Sequence, residues 1–358
     1  MKKLTGIIFF VFLFKTAFSQ VLKAGVFIDS FVKKNNFNGT ILIQQQSKTA
    51  YQKSFGFANF SFKIPNTIRT TYKVASITKA FTSVLILQLF EQGKIDLEKT
   101  IHAYLPDYAG SAGDKVTVKQ LLNMTSGMRN MDEGTTQESV LKKGMPQYQL
   151  PHTSDEMLIR YCSDTLVRKP GSQFDYNNAD FIILGKIIEK VTSMTYEEAL
   201  SKQLLQPLKM THSGMLTQEK IIDNLADTYF YRDDIKMLVS DLPVYWSNWY
   251  AAGAMYSTAG DLARFSNALF GGKLLKQQTL NKMFSSGLGE YGMGVWVYKD
   301  YEIKHKMYTI VKRPGQIMGA QTMLFHILEH GSTIIILSNT GTVSLDDFAA
   351  AIANHIVQ

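Results

Sequence analysis

The sequence predicts an α+β fold in which an antiparallel sheet, formed by the N- and C-terminal segments, is flanked by helices and carries an inserted helical lobe. Three observations lead there. Strand-like segments lie near the start of the chain, at 37–46 and 49–60. Others lie near its end, in GVWVYKD, GAQTMLFHI and STIIILSNT. Between them, over roughly 115–280, apolar residues recur with the 3.6-residue period of helices. An active site is then expected in the cleft between lobe and sheet.

The chain opens with MKKLTGIIFFVFLFKTAFSQ. Lys2 and Lys3 form a basic start, Leu4 to Phe14 an apolar run, and Ala17-Phe18-Ser19 a small-x-small site. This reads as a secretory signal peptide over 1–19, leaving 20–358 as a single secreted or periplasmic domain, with the helical lobe at roughly 100–280. The run falls well short of the roughly 20 residues that span a bilayer, and no later stretch reads as a transmembrane helix. Cleavage lowers the net charge from +8 to +5. The excess is scattered and gives no case for a nucleic-acid partner. The lone Cys162 leaves no intramolecular disulfide and reads as a buried thiol.

The two N-terminal strands are expected to join at Ser47-Lys48. From Ser76 to Gln92 the spacing is helical, with Gly93 where a helix C-terminal glycine belongs. Val118–Met124, Ser154–Cys162, Phe181–Val191 and Gly260–Phe270 repeat the pattern, and a last helix runs from about Leu345 to Ile356. The stretch from about Arg129 to His152 carries no readable pattern, and no feature sets an oligomeric state.

Ser76-Ile77-Thr78-Lys79 places an amine one helical turn beyond a hydroxyl. A serine hydroxyl is a poor nucleophile without a neighbouring base, and a lysine whose pKa is lowered by burial can supply one. Backbone N–H groups at a helix N-terminus can hold a developing oxyanion. Two other Ser-x-x-Lys tetrads, Ser30–Lys33 and Ser139–Lys142, open no long apolar helix and read as solvated surface.

Around Ser76 the chain reads YKVASITKAFTSVLILQLFEQGKIDLEKTIHAYLP (72–106), and in this it resembles the class C β-lactamase and D-alanyl-D-alanine carboxypeptidase family, which includes esterases. GFAN (56–59), GKIDL (93–97), YLP (104–106), VTVKQLLNMTSGM (116–128), PGSQFDYNNADFIILG (170–185), AAGAMYSTAGDLARF (251–265), YGMGVW (291–296) and LSN (337–339) follow the family's order. The resemblance implies a β-lactamase/transpeptidase-like, penicillin-binding protein-like fold and hydrolysis through an acyl-enzyme. Tyr176-Asn177-Asn178 fits the family's Tyr-x-Asn motif, and no other of the 17 tyrosines has Asn two residues on. It implies that Tyr176 shuttles protons with Lys79, and that Asn178 holds Lys79 and a substrate amide. A nearby cation would favour phenolate. The chain has no Ser-Asp-Asn and no Lys-Thr-Gly, so the class A pattern fits poorly.

The third motif departs from the family's Lys-Thr-Gly or His-x-Gly. Arg313-Pro314-Gly315 keeps a cation two positions before a glycine, with Lys312 as the alternative cation one register away. By this resemblance Gly315 lets substrate lie close to the backbone, the Gln316 N–H pairs with that of Ser76 as the oxyanion hole, and Arg313 grips a substrate carboxylate. Pro314 removes a backbone donor and favours an edge. Met124, where many relatives have His, reads as packing.

His326-Ile327-Leu328-Glu329-His330 spells a zinc signature, but these residues bridge two apolar runs and read as a hairpin turn. No metal or organic cofactor is implied. The cluster Tyr245-Trp246-Ser247-Asn248-Trp249-Tyr250 reads equally as a pocket wall or as lobe packing. The expectation is an exported serine hydrolase whose nucleophile is Ser76, acting on a small-molecule or peptide substrate: a D-amino-acid peptide, an ester or a β-lactam. The rival is a catalytically silent module binding peptidoglycan-type ligands.

Overall fold

The computed structural model describes residues 23–357; the leader expected at 1–19 lies outside them. Six strands form one antiparallel sheet: β1 (Gly39–Gln45), β2 (Lys48–Phe55), β3 (Trp296–Ile303), β4 (Lys306–Ile317), β5 (Ala320–Ile327) and β6 (Ser332–Ser338). Their order is β3-β4-β5-β6-β1-β2. The two ends of the chain meet where β1 pairs with β6, Gly39 opposite Ser338 and Ile41 opposite Ile336. The first hairpin turns at Gln46-Ser47, one residue earlier than expected, both residues having positive φ.

Successive side chains of a strand point to opposite faces. Here that alternation feeds two cores. Ile41, Ile43, Ile334, Ile336, Met323 and Phe325 meet the helices α1 (residues 23–35) and, at the chain's end, Leu345–Ile356. Leu42, Ile335, Leu337 and Leu324 face the other way and join the larger core. Both faces of β6 are covered, which is why it reads as an unbroken apolar run rather than an alternating one.

The larger core is built on α2 (Thr78–Glu91), α3 (Asn178–Thr192) and α4 (Ala259–Phe270). Nearly every residue of α2 is buried, as its all-round apolar sequence requires. Phe81 of α2 stacks on Phe265 of α4 at 3.8 Å, and Ser266 of α4 bonds Thr333 of β6 at 2.8 Å. The last helix, Leu345–Ile356, is α5. The expected helices over 118–124, 154–162 and 181–191 appear as Val118–Leu122, Ser154–Tyr161 and α3. Among the described residues, no helix is long and apolar enough to cross a membrane.

His326 lies in β5, one residue before its end, and His330 lies in the turn before β6, so the hairpin stands where the zinc signature would need a helix. His326 stacks on Phe270 and bonds Thr333, and burial holds its imidazole down at about 3, so it is neutral. Ser30 and Lys33 are exposed on α1. Ser139 spends its hydroxyl capping a short helix, accepting from Thr136 N and donating to Gly134 O. Cys162 is a buried free thiol.

Candidate active site

Ser76 does not sit in the α-helix proper. It occupies a single 3-10 turn, Ala75–Ile77, placed immediately before α2. Ala75 takes φ +49°, a left-handed conformation rare for a residue with a Cβ. Neighbouring strands hold this turn. Val74 N–H donates to Met255 O at 2.9 Å, Thr322 Oγ1 donates to Val74 O at 2.9 Å, and Thr78 Oγ1 donates to Ala75 O at 2.7 Å. The Ser76 side chain is thereby fixed at the junction of β4, α2 and α3, with Ser76 9% exposed.

Lys79 lies one turn on, fully buried. Its Nζ donates to Ser76 Oγ at 3.1 Å, Asn178 Oδ1 at 2.6 Å and Ala252 O at 2.8 Å. Three acceptors match the three hydrogens of an ammonium. Tyr176 ends the loop ahead of α3, whose N-terminus is capped by Asn177 accepting from Ala179 N. Asn130 Nδ2 holds the Tyr176 carbonyl at 2.8 Å. This loop sets the Tyr176 hydroxyl 2.9 Å from Ser76 Oγ. The structure therefore brings the hydroxyl, amine and phenol together, with Asn178 bonded to Lys79. The donor end of Asn178 is taken by Asp132 Oδ2 at 2.7 Å.

Arg313 is a correction. Expected on the cleft wall with a free fork for a substrate carboxylate, it is fully buried, and each guanidinium nitrogen serves the protein. Nε donates to Ser76 O at 2.6 Å, Nη1 to Tyr291 OH at 2.9 Å and Nη2 to Tyr176 OH. The rings of Tyr176, Tyr291 and Trp296 surround it at 5.1–5.9 Å, and Trp296 stacks on Tyr176. The physical reason is strand alternation. Lys312 points to the opposite face and pairs with Asp346 of α5, which leaves Arg313 facing inward. Pro314 lies beyond the last β3 pairing, Trp296 with Lys312, while still paired with Met323 of β5. It is an edge residue locally, though its strand is interior.

Two buried cations thus flank one phenol. Among the described residues, no carboxylate pairs directly with either. Burial would push the Tyr176 phenol up, but Arg313 first and Lys79 second overcome it and hold it at about 8. Burial brings the Lys79 ammonium down to about 8, against the pull of Tyr176. Each group is thus displaced from its ordinary range toward the other.

Gly315 is where the strand presses on the nucleophile. A Cβ there would sit 2.6 Å from Val74 O and 3.0 Å from Ser76 N, so only glycine lets β4 lie this close to the turn. Gln316, next along, is exposed in a cavity of about 410 Å3. Its walls include Tyr148, Phe230, Tyr231, Trp249 and Met318, and Asn178 and Asp132 also line it. Trp249 stacks on Tyr148 at 3.7 Å, so the aromatic cluster does wall a pocket, while buried Trp246 packs under Lys73. Sequence reasoning missed Asp132, Tyr148, Tyr291 and Trp296. Tyr291 and Trp296 stood in the family-like YGMGVW segment and carried a signal; Asp132 and Tyr148 stood in the patternless 129–152 stretch.

A Ser-x-x-Lys turn facing a tyrosine, between an antiparallel sheet and a helical lobe, defines the serine-hydrolase fold of the penicillin-recognising proteins. The chain belongs to the Beta-lactamase family, which it matches over residues 27–357. It is 29% identical to the penicillin-binding protein PbpX of Bacillus subtilis (strain 168), over 87% of this chain and 72% of that protein. The crystal structure of a penicillin binding protein from Bacillus halodurans superposes with a TM-score of 0.76 at 26% identity, covering 90% of this chain and 97% of that one. The D-amino acid amidase from Ochrobactrum anthropi SV3 shares the fold, with a TM-score of 0.77 at 22% identity, over 96% of this chain and 97% of its own.

Proposed function

We propose that this protein is an exported serine hydrolase that works through an acyl-enzyme on Ser76, taking a D-amino-acid peptide, an ester or a β-lactam. The observation that carries the reading is the placement of Tyr176 OH and Lys79 Nζ within 2.9 and 3.1 Å of Ser76 Oγ. With the three hydrogens of Lys79 already engaged, the ammonium–phenolate form of the pair is favoured, and Tyr176 is the base. Ser76 Oγ attacks the carbonyl carbon as its proton passes to Tyr176. The carbonyl π pair moves to oxygen, which rests on the N–H groups of Ser76 and Gln316. Collapse expels the leaving group, which takes the proton from Tyr176. Water then repeats the sequence: its proton goes to Tyr176, its oxygen to the acyl carbon, and the proton returns to Ser76 Oγ as the acid leaves.

The test is a panel of nitrocefin, a p-nitrophenyl ester and a D-Ala-D-Ala peptide. Hydrolysis of at least one, with a pre-steady-state burst equal to the enzyme concentration, is expected. Tight binding of such ligands without turnover of any, and without covalent labelling by a fluorophosphonate or a fluorescent penicillin, would favour the silent module instead.

A further inference from the structure

The cavity lined by Gln316 and by Asn178, the residue that holds Lys79, has an unusual balance of charge. Among the described residues lining it, Asp132 alone carries charge, and most of the rest are apolar or aromatic. Asp132 is held from the protein side: Oδ1 accepts from Tyr148 OH at 2.8 Å and Oδ2 from Asn178 Nδ2 at 2.7 Å. Each carboxylate oxygen has a second lone pair. Asn178 passes the connection on to Lys79, and Lys79 to Ser76, so the carboxylate stands one side chain from the catalytic amine. Arg313, the expected anion-binding group, is spent inside the protein. An apolar cavity holding one oriented carboxylate selects against substrate anions and for a cation beside an apolar group.

We infer that Asp132 recognises a protonated amine on the acyl portion of the substrate, next to an apolar side chain, so that the preferred substrates are esters, amides or peptides with a free amine. The assignment to the acyl portion follows from the charge around Tyr176. Tyr176, which must reach the leaving group, is bracketed by Lys79 and Arg313, and a second ammonium there would be repelled. This rests on the hydrolase reading above and narrows its substrate class.

The experiment compares kcat/KM for phenylalanine methyl ester, both enantiomers, with that for the N-acetylated esters. The wild type is expected to prefer the free amine of one enantiomer by about tenfold or more, because a charge-assisted bond to a placed carboxylate is lost on acetylation. The preference should fade as the pH is raised through the substrate amine's own pKa. In Asp132→Asn the Tyr148 hydroxyl can turn to accept from the new amide while Asn178 still donates to its oxygen, so the local bonds can be kept without the charge. The ratio of free to acetylated ester should then fall close to one, and Asp132→Glu should restore part of it. An N-acetyl ester turned over as well as the free amine, or a ratio unchanged in Asp132→Asn, overturns the inference. Fluorophosphonate labelling separates the two levels. Labelling at Ser76 without amine preference sinks only the substrate class, whereas no labelling of folded protein sinks the hydrolase reading and this inference with it.

Discussion

Lys79→Met is expected to lower kcat/KM by about 1,000-fold, carried by kcat, on whichever ester or peptide the wild type hydrolyses fastest. General acid–base catalysis by a placed side chain contributes about 100- to 10,000-fold. Lys79 supports it twice, as the cation that favours the Tyr176 phenolate and as the donor that orients Ser76 Oγ. Methionine keeps the approximate length and the apolar stem without the charge. It leaves Asn178 Oδ1 and Ala252 O without their donor, at a cost of about 1–3 kcal/mol for each buried acceptor that finds no other partner. The kinetics are therefore read beside a urea titration, so that lost activity is counted only on folded protein. A loss under tenfold with the protein folded would remove Lys79 from the proton-transfer machinery.

The second large effect belongs to Arg313. Arg313→Met removes the largest single influence that lowers the Tyr176 phenol, while burial, which raises it, remains. The sign follows. The active pair has lost one proton, phenolate beside ammonium, so wild-type kcat/KM should rise with pH towards about 8 and fall again as Lys79 gives up its own proton. In the variant the phenol is harder to ionise and the rising limb moves to higher pH. At pH 7 the expected loss is about 100-fold, and it should shrink as the pH is raised. Arg313→Lys keeps a charge but not the fork that reaches Ser76 O, Tyr291 and Tyr176 together, so only part of the shift should be recovered. A pH profile that falls in height without moving would mean that Arg313 props up the turn and does not tune the phenol.

These two residues differ in how far the sequence discloses them. Lys79 is legible because the tetrad spacing is local: a hydroxyl and an amine three residues apart at a helix start must share a face. Tyr176 is legible through its motif, since Asn177 and Asn178 cap and open α3 and so fix where the ring goes. The sheet is readable at both ends for a similarly local reason, its strands being short apolar runs bounded by turn residues. Arg313 was not legible in the same way. Lys312 and Arg313 are adjacent cations, and which of them faces the nucleophile depends on strand register, a tertiary quantity. The answer turned on Asp346, on a helix 34 residues away in sequence, being placed to take Lys312. Asp132 lay further out of reach. It sits in turns, its carboxylate is held by the distant Tyr148 and Asn178, and nothing periodic marks it.

At the centre of the account is one oxygen made nucleophilic by two buried cations acting through a phenol. The direct measurement is intact-mass spectrometry of the protein after reaction with a slow acylating ester or penicillin, followed by peptide mapping of the adduct. A single acyl group on Ser76, absent from Ser76→Ala and formed faster at pH 8.5 than at pH 6.5, is the predicted result. An adduct on any other residue, or none on Ser76 while substrate is hydrolysed, would contradict it.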